Sequence, residues 1–156
     1  VVLDRLAVGD ALLQHRARGP LGTMDHCHCT DCRKSHGAAF ATYVEAPWER
    51  FEFTRGKDDL ATYTAESGTR RSFCRTCGAV LICWLEGDPT VEIAAGTLDT
   101  PIDRRPESHT FVRSKVSWLD IQDGLPQHAT TRGSMAGGST TGGGPGGKSK
   151  RPEGPG

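Results

Sequence analysis

Through the middle of the chain, apolar and polar positions fall into short runs separated by turn formers. FATYVEA (40–46), RFEFTR (50–55), LATYT (60–64) and TRRSF (69–73) are rich in Phe, Tyr, Val and Thr. Pro47, then Gly56, Lys57 and Asp58, then Ser67 and Gly68 divide them. Runs of this length and composition, bounded by Gly and Pro, predict strands. AVLICWL (79–85) and TVEIAA (90–95) follow, with a GDP turn at 87–89 between them, and HTFVRS (109–114) predicts a further strand. AVLICWL is the longest apolar run; it suits a buried strand and falls well short of the roughly 18 residues of a membrane span.

Helix signals are sparse. TDCRKSHG (30–37) is the clearest, with Thr30 able to cap it and Gly37 able to end it after about two turns. SKVSWLDI (114–121) fits a strand end and a short helical turn equally well. The pattern predicts a mainly β fold, a small antiparallel β domain with short helical turns and no internal repeat.

Length and composition sharpen the boundaries. The chain has 156 residues, the size of one domain. From Ala129 it reads ATTRGSMAGGSTTGGGPGGKSKRPEGPG, with ten of the twenty glycines and no apolar periodicity. Such a segment cannot offset its ordering entropy by burial. A folded domain at 1–128 and a disordered Gly-rich tail at 129–156 are therefore expected. Net charge is zero overall, but Arg132, Lys148, Lys150 and Arg151 against Glu153 give the tail +3 and leave −3 on the body. A body of that sign argues against electrostatic capture of nucleic acid. The opening VVLDRLAVGDALLQHRARGP carries charges throughout and does not read as a signal peptide. Six cysteines without such a signal point to metal or redox chemistry in a reducing compartment, the cytoplasm by expectation.

Five of the six cysteines fall in two clusters. HCHCTDC (26–32) holds Cys27, Cys29 and Cys32; FCRTCG (73–78) holds Cys74 and Cys77. Two cysteines two residues apart can grip one zinc ion from a tight turn, and Gly78 permits the positive φ that such a turn uses. The first cluster can supply three thiolates to one ion and leave a fourth position open, the pattern of a catalytic zinc. Cys32 would sit in the first helical turn, where the dipole favours a thiolate. A closed four-cysteine site from Cys29, Cys32, Cys74 and Cys77, with Cys27 spare, competes with this on equal terms. Alternation along an extended segment turns His26 and His28 away from the sulfurs, so His28 reads as a residue behind the ligands or on the surface. Cys83, between Ile82 and Trp84, reads as a small buried hydrophobe.

Four ordered stretches, CHCTDCRKSHGAAF, RSFCRTCGAVL, AAGTLDTP and PESHTFVRSKVSWLDIQDGLPQH, resemble the glutathione-dependent formaldehyde-activating enzyme / centromere protein V family. The resemblance runs from about Asp25 to His128. It implies a β-tent fold with zinc, in which Cys27, Cys29 and Cys32 hold the catalytic ion, and Cys74 and Cys77 join an N-terminal Cys-x-Cys pair at a structural one. Here the chain departs from the pattern: no cysteine precedes Cys27, and Ala7 and Gly9 stand where the pair should be. Asp10, His15 or water remain to complete that site, so one zinc is expected, or two if it is completed.

The implied activity is that of a carbon–sulfur lyase. It acts on a small thiol adduct such as S-hydroxymethylglutathione, made from glutathione and formaldehyde. Charge agrees with this, because zinc with three thiolates is a poor activator of water yet still ionises an added thiol. A small-molecule thiol such as glutathione is the partner expected, with no membrane. Arg33, Lys34, Arg71 and Arg75 could meet its carboxylates, though an ordinary solvated face accounts for them more simply. His109 could act behind the ligands or as an acid or base, or make a structural hydrogen bond. Asp99, in GTLD, reads as fixing backbone. The competing readings are a zinc-stabilised binding module, in keeping with the centromere-associated relatives, and an inactive truncated member of the family.

Overall fold

The structure, a computed structural model, describes the backbone of residues 2–6 and all of residues 13–133. Ala7, Gly9 and Asp10 lie outside the described residues, as does most of the expected tail. The strands are β1 (Val2–Leu6), β2 (Leu13–Ala17), β3 (Met24–Cys27), β4 (Ala41–Pro47), β5 (Phe51–Arg55), β6 (Leu60–Thr64), β7 (Arg70–Cys74), β8 (Val80–Trp84), β9 (Thr90–Ala94) and β10 (Ser108–Thr110). One α-helix, α1 (Thr30–His36), and four single 3-10 turns complete the described elements.

The strands form two sheets, β1-β2-β5 and β10-β3-β4-β9-β8-β7-β6. Neighbours are antiparallel except β10 and β3, which run parallel with His109 opposite His26. Period-2 alternation places Val44 and Ala46 of β4, and Val91 and Ile93 of β9, on one face. There they join Leu13 and Ala17 of β2, Phe51 of β5 and Ile82 of β8 in the main core, which the two sheets share. The other face of the same strands carries Ala41, Tyr43 and Glu45, then Glu92 and Ala94. Tyr43, Ala41 and Ala94 pack there with Cys32 and Cys83 in a second, smaller cluster. The central strands are thus covered on both faces, and the candidate site belongs to the second.

The mainly β fold, six of the strands and the helix follow the sequence pattern closely. The strand expected at 109–114 is extended only at its start, in β10, and gives way to a 3-10 turn at Val112–Ser114. Two further details differ. The helix is capped by Cys29, with Thr30 already helical, because the Cys29 thiol accepts the hydrogen bond from the Cys32 N–H at 3.3 Å. SKVSWLDI forms neither a strand nor an α-helix; Val112–Ser114 make a single 3-10 turn and the rest is irregular. Past His128 the chain stays with the body for several residues. Phe111 N–H donates to Thr130 O at 2.7 Å, and Arg132 bonds Asp25 at 2.7 and 2.8 Å.

Ile93 is fully buried where β8 and β9 meet, opposite Ile82. Ile93→Ala is expected to destabilise the fold by about 2–5 kcal/mol through lost burial and a residual cavity. Urea unfolding checks this as a lower midpoint at unchanged slope.

Candidate metal centre

The three-cysteine segment is built from the end of a strand and the start of a helix. Cys27 closes β3, and Cys29 sits in extended geometry (φ −62°, ψ 153°) as the residue that caps α1. Gly37, at φ 59°, ends the helix two turns on, its N–H bonded to Arg33 O. The result brings the Sγ atoms of Cys27, Cys29 and Cys32 within 4.8 Å of one another. Sulfurs on one tetrahedral zinc, with bonds of about 2.3 Å, stand about 3.8 Å apart. The donor set fits a metal ion.

Proton sharing within the group supports that fit. Hydrogen bonds from Cys27 and Cys32 pull the Cys29 thiol down to about 2. Cys27 is pushed up, chiefly by its hydrogen bond to Cys29, then by its bond to Cys32 and by burial. For Cys32 the Cys27 bond lowers, but the Cys29 bond, burial and the Cys29 charge raise it to about 11. Each thiol's ionisation is thus set against its neighbours'. A bound cation is what would let all three ionise together.

The sulfurs form one wall of a cavity of about 560 Å³. Its floor is a cross-strand row set by register: Glu45 opposite Glu92, Glu92 opposite Cys83, Cys83 opposite Arg71. Tyr43 lies beside the row, its hydroxyl bonded to His36 Nε2 at 2.9 Å and its phenol pushed up by burial. Arg71 is buried, with Nη2 3.8 Å from Cys32 Sγ. At the rim, Phe111 holds a left-handed backbone (φ 55°), an uncommon conformation for a bulky residue and one that clusters at functional sites.

Comparison with known proteins adds the family. The family model described as glutathione-dependent formaldehyde-activating enzyme matches residues 13–114, which includes all six cysteines and every strand from β2 to β10. The chain belongs to that family. A crystal structure of a Rhodobacter sphaeroides protein from a structural genomics programme is similar in fold, with a TM-score of 0.52 at 19% identity. The match covers 65% of this chain and 91% of that one. No curated protein sequence matches.

In this family member the back of the ligand segment is as ordered as its front. His26 and His28 point away from the cavity, onto Phe40 and His109, with ring centroids 4.5–5.1 Å apart. His28 is fully buried and therefore not a surface residue. His109 Nε2 donates to Asp123 Oδ2 at 2.8 Å, since a carboxylate only accepts. His109 Nδ1 then accepts from His28 Nε2, also at 2.8 Å. Burial, together with the neighbouring His109, pushes His28 down to about 4, so the string is uncharged at its inner end. His26, His109 and Asp123 also offer donor atoms within 4.8 Å of one another. The 2.8 Å contact is a hydrogen-bond length, shorter than the roughly 3.2 Å between tetrahedral zinc ligands of this kind.

The structure does not bring Cys74 or Cys77 to the three-cysteine group. Cys74 is buried in the main core and Cys77 packs against it. Among the described residues, no His, Asp, Glu or Cys makes a group of three with them. His15, a candidate to complete that site, is buried between Phe51 and Phe53. Of the four basic residues named from sequence, Arg71 lines the cavity, Arg33 donates to His28 O, and Lys34 and Arg75 are exposed. Tyr43, Glu45, Glu92 and Asp123 escaped the sequence reading. A signal was present for Glu92, a lone charge within the apolar run TVEIAA.

His109→Ala would remove both hydrogen bonds of the string and leave His28 Nε2 buried without an acceptor. A loss of about 1–3 kcal/mol is expected, with faster hydrogen exchange at the amides of residues 27–29. Unchanged exchange there would show that the string does not hold the ligand segment.

Proposed function

We propose that this chain is a zinc-dependent carbon–sulfur lyase that acts on a small thiol adduct such as S-hydroxymethylglutathione, with Cys27, Cys29 and Cys32 as metal ligands. The observation that carries this reading is the cluster of three thiols exposed to an open cavity. Three protein donors leave a position for a ligand entering from that cavity. A zinc bound there would supply a thiolate at neutral pH, because a coordinating thiol ionises.

In the adduct-forming direction, the sulfur lone pair makes the C–S bond to the carbonyl carbon. The carbonyl π pair moves to oxygen, which takes up a proton. Cleavage reverses each step and releases thiol and aldehyde without an oxidant or reductant. The chain's part is to gather, orient and balance charge. The Cys32 N–H fixes Cys29, and the string through His28 fixes the segment between Cys27 and Cys29. Arg71 lies beside Cys32 and offsets the negative charge that three thiolates concentrate.

Cys74 and Cys77 are read as half of a structural zinc site, so the count is one zinc, or two with a further ligand. Six unbridged cysteines suit a reducing compartment such as the cytoplasm, which is part of this reading. Among the described residues no helix is long and apolar enough to cross a membrane. A zinc-stabilised binding module would have no use for thiols facing a cavity of this size, which favours the lyase reading over it.

Native mass spectrometry of the protein purified without added metal should find zinc bound. Cys29→Ser should carry one zinc fewer and reduce turnover of S-hydroxymethylglutathione, followed by NMR, to the uncatalysed rate. A chelator should do the same to the unaltered protein, and added zinc should reverse it. Turnover that survives Cys29→Ser would sink the proposal.

A further inference from the structure

The floor of the thiol cavity carries separated charges whose hydrogen-bonding capacity is largely unused within the described residues. At one end of the cross-strand row, Arg71 is only 6% exposed. Its acceptors are distant, Cys32 Sγ at 3.8 Å and Asp31 at 4.0 Å, and its Nε has no hydrogen-bond partner. A guanidinium presents a planar fork suited to a carboxylate, and a buried one is costly until its donors are used. At the other end, Glu45 and Glu92 stand directly opposite each other on neighbouring strands. No hydrogen bond or ion pair to a described residue holds either carboxylate. The cavity's other arginine, Arg132, is engaged by Asp25 and Glu107.

Like charges placed directly opposite on a sheet repel. Glu92 is exposed to the cavity, but the protein wall around it, with Glu45 next, pushes its carboxyl up, a shift that a cation beside it would reverse. A metal ion is a poor candidate for that cation. Hard cations take six or more oxygens, and among the described residues no third donor groups with these two carboxylates. An ammonium group needs only one or two acceptors. Strands lie about 4.8 Å apart, so Arg71 and Glu92, two strands apart, are separated by about 10 Å at the backbone. Their long side chains leave between them a gap on the scale of an amino-acid head group.

We propose that this row recognises the zwitterionic head of a thiol substrate, with Arg71 taking its carboxylate and Glu92, supported by Glu45, taking its ammonium group. The inference rests on the thiol-binding reading of the three-cysteine site. It goes beyond that reading in assigning which residues hold the amino and carboxylate groups of such a thiol.

Four small thiols test it by calorimetric titration of the zinc-loaded protein: 2-mercaptoethanol with neither charge, 3-mercaptopropionate with the carboxylate, cysteamine with the ammonium, and cysteine with both. Each charge should tighten binding about tenfold. Arg71→Met should erase the carboxylate gain and keep the ammonium gain, and Glu92→Gln should do the reverse. A misfolded variant cannot give this crossed pattern, and Arg71→Lys should restore part of the carboxylate gain. If 2-mercaptoethanol binds and neither charge improves on it, or both variants lose both gains together, the recognition row is overturned while the thiol site stands. If none of the four binds, the thiol site falls and the row falls with it.

Discussion

Side chains on an extended strand alternate between its two faces, and residues 26–29 use that alternation to separate sulfur from imidazole. Cys27 and Cys29 face the cavity, while His26 and His28 face the packed back of the sheet. A slip of one residue in the register of β3 would exchange the two sets. The register is therefore held from both sides, by antiparallel β4 and by the parallel strand β10. The same β10 delivers His109, whose hydrogen bonds to His28 and Asp123 join the ligand segment to the C-terminal part of the body. Bonds from Arg132 to Asp25 and Glu107 fasten that part again. Placement of the thiols thus depends on contacts more than 80 residues away along the chain.

Charge sets the second condition. Three thiols this close oppose one another's ionisation, and the hydrogen bonds among them favour a thiolate at Cys29 at the expense of Cys27. Arg71 relieves part of that load through Cys32, and its guanidinium is held charged although burial opposes it, because Cys32 and Cys83 lie alongside. Tyr43 stays a neutral wall. The cavity is therefore negative around the sulfurs and around Glu45 and Glu92, with one buried positive point between them.

Much of this was legible in the sequence, for reasons that differ by element. The strands from 40 to 95 were readable because β-branched and aromatic runs are punctuated by Gly and Pro. The opposite facing of the histidines was readable because it needs only a period of two. β2 was not, since LQHRA shows no apolar alternation; its buried face consists of Leu13, Ala17 and a histidine. The parallel β10–β3 pair was hidden because it joins segments far apart in the chain and β10 is three residues long. Arg71 looked like one basic residue among several on a solvated face. Only the register, which sets it on the cavity floor opposite Cys83, distinguishes it from Arg70, whose guanidinium lies over the exposed side at Glu86 and Trp84.

The two cysteine sets also differ in location more than in spacing. Cys74 and Cys77 lie in a tight turn closed by Gly78 N–H to Cys74 O at 2.8 Å and Cys74 N–H to Ala79 O at 3.0 Å, with Gly78 at φ 76°. Burial raises the Cys74 thiol, but the N–H groups of Cys77 and Thr76 more than offset it and hold it below the usual thiol range. Cys74 is buried in the main core and Cys77 packs against it, and neither lines the cavity. The three-cysteine group has the same two-residue spacing in Cys29 and Cys32, yet it opens onto a cavity. A thiolate pair facing a core can only be held, whereas thiolates facing a cavity can exchange a ligand. That difference comes from which face of which strand the sulfur occupies, and the C-x-x-C pattern itself does not encode it.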